Sequence, residues 1–118
     1  MKYVVLLYSN PATWGALPAG EAERVIELHN DLIGELTASG EFVGIRRLAD
    51  AGNARTVVLR DGAPAVTDGP SGEFREKLAS IWELDVERLE RAVEIAGVLT
   101  PHATIEVRAL MDAAGMEM

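Results

Sequence analysis

Six consecutive apolar or aromatic residues, Tyr3 to Tyr8, would fill both faces of a pleated strand, the pattern of a strand covered on both sides. Asn10-Pro11 breaks it, and Ala12 to Leu17, with Trp14 and Gly15, reads as a loop. Pro18 suits the first turn of a helix, Glu21 and Glu23 set negative charge at its positive end, and Gly40 supplies a stop, so a helix is predicted from Pro18 to about Ser39. Ala22, Val25, Ile26, Leu32, Ile33 and Leu36 form its apolar stripe. His29 falls inside that stripe and is the one titratable side chain that the pattern turns inward.

Beyond Gly40 the period shortens to two. Glu41 to Leu48 is predicted as a second strand, followed by a turn at Asp50-Ala51-Gly52-Asn53. Arg55 to Arg60 is a third strand, Asp61-Gly62 a hairpin turn, and Pro64 to Thr67 starts a fourth strand. The stretch from Val66 to Val86 then breaks at Asp68-Gly69-Pro70, crosses a mixed-charge segment containing Glu73, Arg75, Glu76 and Lys77, and returns to strand at Ser80 to Leu84. Asp85 is a cap for a second helix from Val86 to about Leu99 with Leu89, Val93 and Ala96 inward. Thr104 to Leu110 alternates as a last strand.

Strand, helix, strand with a hairpin region, strand, helix, strand is the order of an α+β ferredoxin-like split βαβ sandwich. Residues 1–111 make one domain and residues 112–118 a C-terminal tail. Two helices cover one face of such a sheet. The other face, apolar along the first strand, calls for a partner, and a homodimer packed sheet to sheet is the simplest one.

Charge narrows the partners. Eleven basic against nineteen acidic residues leave −8, which repels nucleic acid and anionic membrane alike. The N-terminal apolar run is too short for a signal peptide core or a membrane span, and the chain has no cysteine, so it is expected in the cytoplasm, without disulfides or a thiol nucleophile. The two histidines, His29 and His102, lie on different elements, so no metal site is expected, and no nucleotide or phosphate-binding loop is found. No cofactor is expected.

The candidate chemistry rests on few residues. An imidazole titrates near neutrality, so His29 is either a proton carrier or a core histidine held by one hydrogen bond. Asp68 is either a turn residue, since Asp-Gly-Pro is good turn chemistry, or a carboxylate that orients His29. Tyr8 and Trp14 are the aromatics available to line an apolar pocket, with Trp14 placed to close over a ligand, whereas Trp82 belongs to the core.

Tyr3 to Tyr8, Trp14, His29, Val66-Thr67-Asp68-Gly69-Pro70, Glu73, Glu76, Leu84-Asp85-Val86 and Ile105-Glu106-Val107-Arg108, in this order and spacing, resemble the DGPF group of YCII-related proteins. The resemblance implies a small bacterial protein whose ferredoxin-like fold dimerises into an α/β barrel, with a pocket between helices and sheet. It implies a His-Asp pair, here His29 and Asp68, and ligand contacts from Gly69, Pro70, Ser71 and Glu73. Many relatives are encoded beside extracytoplasmic-function sigma factors, which makes such a factor a candidate partner. Two positions depart from the family pattern: Ser71 stands where the family carries Phe, and Ala79-Ser80 where it carries a Gly pair. Losing the aromatic removes a large piece of pocket wall.

Two functional readings follow. One is a cofactor-free enzyme in which His29 and Asp68 perform acid-base chemistry on a small aromatic or carbonyl-bearing compound. The other is a non-catalytic ligand-binding or regulatory module, linked to a sigma factor.

Overall fold

Tyr3, Val5 and Leu7 point one way from the first strand and are buried, while Val4, Leu6 and Tyr8 point the other way and are half-buried. This strand, β1 (Lys2–Ser9), lies inside the sheet of a computed structural model that describes residues 1–70 and 75–117. The order along the chain continues with α1 (Pro11–Gly15), α2 (Glu21–Ser39), β2 (Phe42–Arg47), a 3-10 turn at Ala51–Asn53, β3 (Arg55–Arg60), β4 (Ala63–Asp68), β5 (Lys77–Asp85), α3 (Leu89–Val98) and β6 (Thr104–Ala109).

The main sheet runs β2-β5-β1-β6, antiparallel throughout, and β3 and β4 pair only with each other. Leaving the β3-β4 hairpin aside, this is the split βαβ arrangement that the sequence predicts: β1 and β2 are parallel with β5 between them, and β5 and β6 are parallel with β1 between them. The fold is α+β and ferredoxin-like. Among the described residues no helix is long and apolar enough to cross a membrane.

Register defines the two faces of the sheet. Ile45, Trp82, Val5 and Val107 stand in one row across four strands, and Phe42, Leu84, Tyr3 and Ala109 in the next. These rows meet Leu32 and Leu36 of α2 and Ala92, Ile95 and Ala96 of α3, and the resulting core centres on Trp82, which is fully buried. The opposite face carries Leu6 beside Ile81 and Val4 beside Glu83 and Arg108, and neither α2 nor α3 packs on it.

The hairpin holds together through local rules. Asp61 and Gly62 both take positive φ, 49° and 81°, which matches the primed turn that joins two twisted strands. Its apolar side chains are left outside, with Leu59 75% and Val66 64% exposed.

Three predictions about elements need correction. Ala12 to Leu17 is not all loop: Asn10 accepts the amide of Ala12 at 3.0 Å and Pro11 fills the first position, so a short helix forms. The long helix starts at Glu21 rather than Pro18, because Gly20 at φ 85° turns the chain into it. The last helix starts at Leu89, three residues later than Val86, and Asp85 does not cap it. Its carboxylate instead meets the Met1 ammonium at 3.1 Å. The inward stripe is Ala92, Ile95, Ala96 and Leu99, and Leu89 and Val93 face out.

Candidate functional site

At the end of the sheet where β1 leaves the core, the helix-facing row is Arg47, Ser80, Leu7 and Ile105. Here β5 carries an irregularity. Leu7 pairs with Ser80, but Tyr8 pairs with Leu78, so Ala79 is an extra residue on β5. Such a bulge reverses the alternation beyond it. Lys77, which uninterrupted pairing would send to the outer face, now stands opposite Ser9 on the helix side.

Between this row, α1, the middle of α2 and the turn before β6 lies an open cleft of about 490 Å³. Leu7, Trp14, Val25, Ile26, Ile45 and Leu78 give it an apolar lining. Its titratable groups are His29, Arg47, Asp50, Lys77 and His102. The Asp50 side chain accepts the Gly52 amide at 2.9 Å and so holds the 3-10 turn that forms the rim. His102, at φ 62° in the turn after α3, faces Glu21 of α2 across 3.5 Å.

His29 is the innermost titratable group. Its ring stands edge-on to the indole of Trp82, and its Nε2 is buried without a hydrogen-bond partner among the described residues. The indole is fixed in turn, because its Nε1 donates to the Ser80 hydroxyl at 3.2 Å. Burial, and then the nearby Arg47 guanidinium, hold the His29 pKa below the ordinary imidazole value. At neutral pH the ring is therefore uncharged and one of its nitrogens is free to accept a proton.

Other predicted site residues lie elsewhere. Trp14 lines the cleft as expected. Tyr8 and Pro70 line a second hollow, of about 540 Å³, that shares Leu48, Asp50 and Lys77 with the first. The Tyr8 hydroxyl lies 3.3 Å from Glu106, and burial, then the Glu106 charge, raise its pKa. Gly69, at φ 89°, ties the hairpin end to the chain, donating to Ala54 and accepting from the Thr56 hydroxyl at 2.7 Å each. Ser71 and Glu73 lie outside the described residues.

Asp68 is not brought to His29 within one chain. It ends β4, its side chain is 90% exposed, and its carboxylate pairs with Arg55 at 3.2 Å. The reason is topological: Asp68 closes the separate hairpin, whereas His29 packs over the main sheet. The carboxylate that the cleft does contain is Asp50.

The sequence pattern also missed Arg47, Lys77 and Ser80. Period-two alternation through Ile45 would have found Arg47 on the inner face of β2, but the bulge that turns Lys77 leaves no local signature.

Comparison with known proteins agrees with this architecture. A family model for the YCII-related domain matches residues 1–112. An uncharacterized protein of Rhizobium meliloti (strain 1021) is 28% identical over 96 residues, which is 81% of this chain and 77% of that protein. By its sequence the chain belongs to the YCII-related domain family.

Proposed function

We propose that the cleft is a small-molecule site in which His29 transfers a proton without a cofactor. One observation carries this reading: a neutral imidazole lines an apolar cleft, and its buried Nε2 has no hydrogen-bond partner among the described residues. An unpaired buried polar atom costs about 1–3 kcal/mol, so the fold holds this ring beside the cleft at an energetic cost. A base with a pKa below neutrality is in its active form at pH 7, and the apolar walls strengthen any charge that develops beside it. Proton abstraction, elimination or isomerisation on a small aromatic or carbonyl compound suits one titratable group of this kind.

The uncovered sheet face, with Leu6 and Ile81 at its centre and Glu83, Glu106, Arg46 and Arg108 around them, supports a homodimer. A two-fold contact can set each acidic residue near a basic one of the partner.

A second reading, a ligand-binding or regulatory module that performs no chemistry, is favoured by the pairing of Asp68 with Arg55, which leaves the imidazole without that orienting carboxylate. Turnover separates the two. A panel of small aromatic and carbonyl compounds is offered to the wild type and to His29→Gln. A compound turned over by the wild type and at least about a hundredfold more slowly by the variant supports the enzyme. Equal rates sink the role of His29, and binding without turnover by any compound favours the module.

A further inference from the structure

In a chain of net charge −8, the cleft runs against the overall sign. Arg47 and Lys77 stand on neighbouring strands at its floor, Arg47 opposite Ser80 and Lys77 opposite Ser9. Both line the same hollow as His29. The geometry of β5 is spent on this arrangement, since without the extra residue at Ala79 the Lys77 side chain would leave for the outer face. Neither cation forms an ion pair among the described residues, although Arg24, Arg55, Arg88 and Arg91 all do.

Asp50, the one carboxylate among the described residues of the cleft, gives an oxygen to the Gly52 amide. Among the described residues, Arg47 and Lys77 against Asp50 leave one positive charge, the histidines aside. That surplus matches a monoanion, whereas a dianion such as phosphate would leave a negative charge uncompensated among apolar walls. A planar guanidinium fork fits a carboxylate with two hydrogen bonds, and an ammonium adds a point charge. The remaining lining is apolar, and the volume of about 490 Å³ lies in the range of small-ligand pockets.

We infer that the His29 cleft takes a small monocarboxylate with an apolar, ring-sized body, its carboxylate held by Arg47 and Lys77 and its body set against Trp14 and Ile45 beside His29. This rests on the reading of the cleft as a small-molecule site and names the class of ligand.

Benzoate tests it against benzamide, which has nearly the same shape and no charge. Each is titrated into the full chain at pH 7.5 while the ring resonances of His29 are followed by NMR. Benzoate is expected to shift them to saturation and to bind at least about tenfold more tightly than benzamide. Arg47→Gln and Lys77→Gln should each weaken benzoate by about tenfold and leave benzamide within about twofold, with unchanged thermal melting showing that the fold persists. Equal affinity for both probes, or variants that leave benzoate untouched, overturns the carboxylate class while the cleft remains a binding site. Inorganic phosphate shifting the same resonances as tightly as benzoate also overturns it. If neither benzoate nor benzamide reaches His29, this inference and the small-molecule reading of the cleft fall together.

Discussion

The imidazole of His29 and the indole of Trp82 meet edge to face, centroids 5.8 Å apart and planes at 84°. Trp82 is completely buried, and Ser80 and Phe42 hold its ring from two other sides. A histidine on a helix is thereby fixed in orientation by the core of the sheet rather than by a hydrogen bond to a carboxylate. The contact carries both the position of the ring and part of the burial that keeps it neutral.

Titration is the most direct consequence. The His29 pKa is lowered by burial and then by Arg47, so its midpoint by NMR should fall below the free value of about 6.5. Arg47→Gln should move it upward, toward that value. Any rate that depends on the neutral ring should rise with pH through the folded midpoint and level off by pH 7. A midpoint above 6.5 would contradict the assignment of His29 as a base that is ready at neutrality.

The same shift affects stability. Because the folded pKa is depressed, the unfolded chain binds the proton first. The contribution of His29 is fully present above about pH 6.5 and is lost as pH falls toward the folded value. His29→Gln should show a smaller loss of stability than the wild type as pH falls below about 6.5, measured by urea unfolding.

Ser80→Ala leaves the Trp82 indole N–H buried without the acceptor it uses, the Ser80 hydroxyl at 3.2 Å. The expected cost is about 1–2 kcal/mol in urea unfolding. Trp82→Phe on top of Ser80→Ala should cost less than the two single changes combined, because the donor is gone. Additive effects would show that the hydrogen bond contributes nothing measurable.

Glu41 and Arg91 tie the start of β2 to α3 through two bonds of 2.8 and 2.9 Å. The hydrogen bonds from Arg91, and then from Ser39, draw the Glu41 pKa down from 4.5 to about 2. This stabilisation is complete above pH 4.5 and disappears as pH falls toward 2. Glu41→Gln should cost about 1–2 kcal/mol at pH 7. At the acid end the variant and the wild type should converge, and a difference that persists there would point to packing rather than charge.

The proposed dimer makes its own demand on Leu6, which stands at the centre of the uncovered face beside Ile81 and Glu106. Leu6→Glu should convert a dimer to a monomer in sedimentation equilibrium without loss of helix signal. A wild-type chain that sediments as a monomer at high micromolar concentration would remove the sheet-to-sheet assembly.

Short-range physics is where the sequence by itself was decisive. The unbroken apolar run from Tyr3 to Tyr8 makes β1, the Asp61-Gly62 pair turns the hairpin between Arg55 and Asp68, and Gly40 ends α2 with a left-handed backbone at φ 81°. Each depends only on neighbours a few residues apart, and their order along the chain was enough for the ferredoxin-like arrangement. His29 was placed on an inward stripe for the same reason. Two stripes satisfied the helical period in α3, however, and only the late start at Leu89 selected Ala92, Ile95, Ala96 and Leu99. Asp68 and His29 could be joined on paper because nothing local reveals that β4 pairs with β3 alone, away from the main sheet. The place of Lys77 in the cleft came from tertiary structure too. Lys77 lines the cleft with His29 because β5 and β1 pair across more than sixty residues with one residue left over at Ala79, and a register set by distant strands has no signature in the residues that it turns.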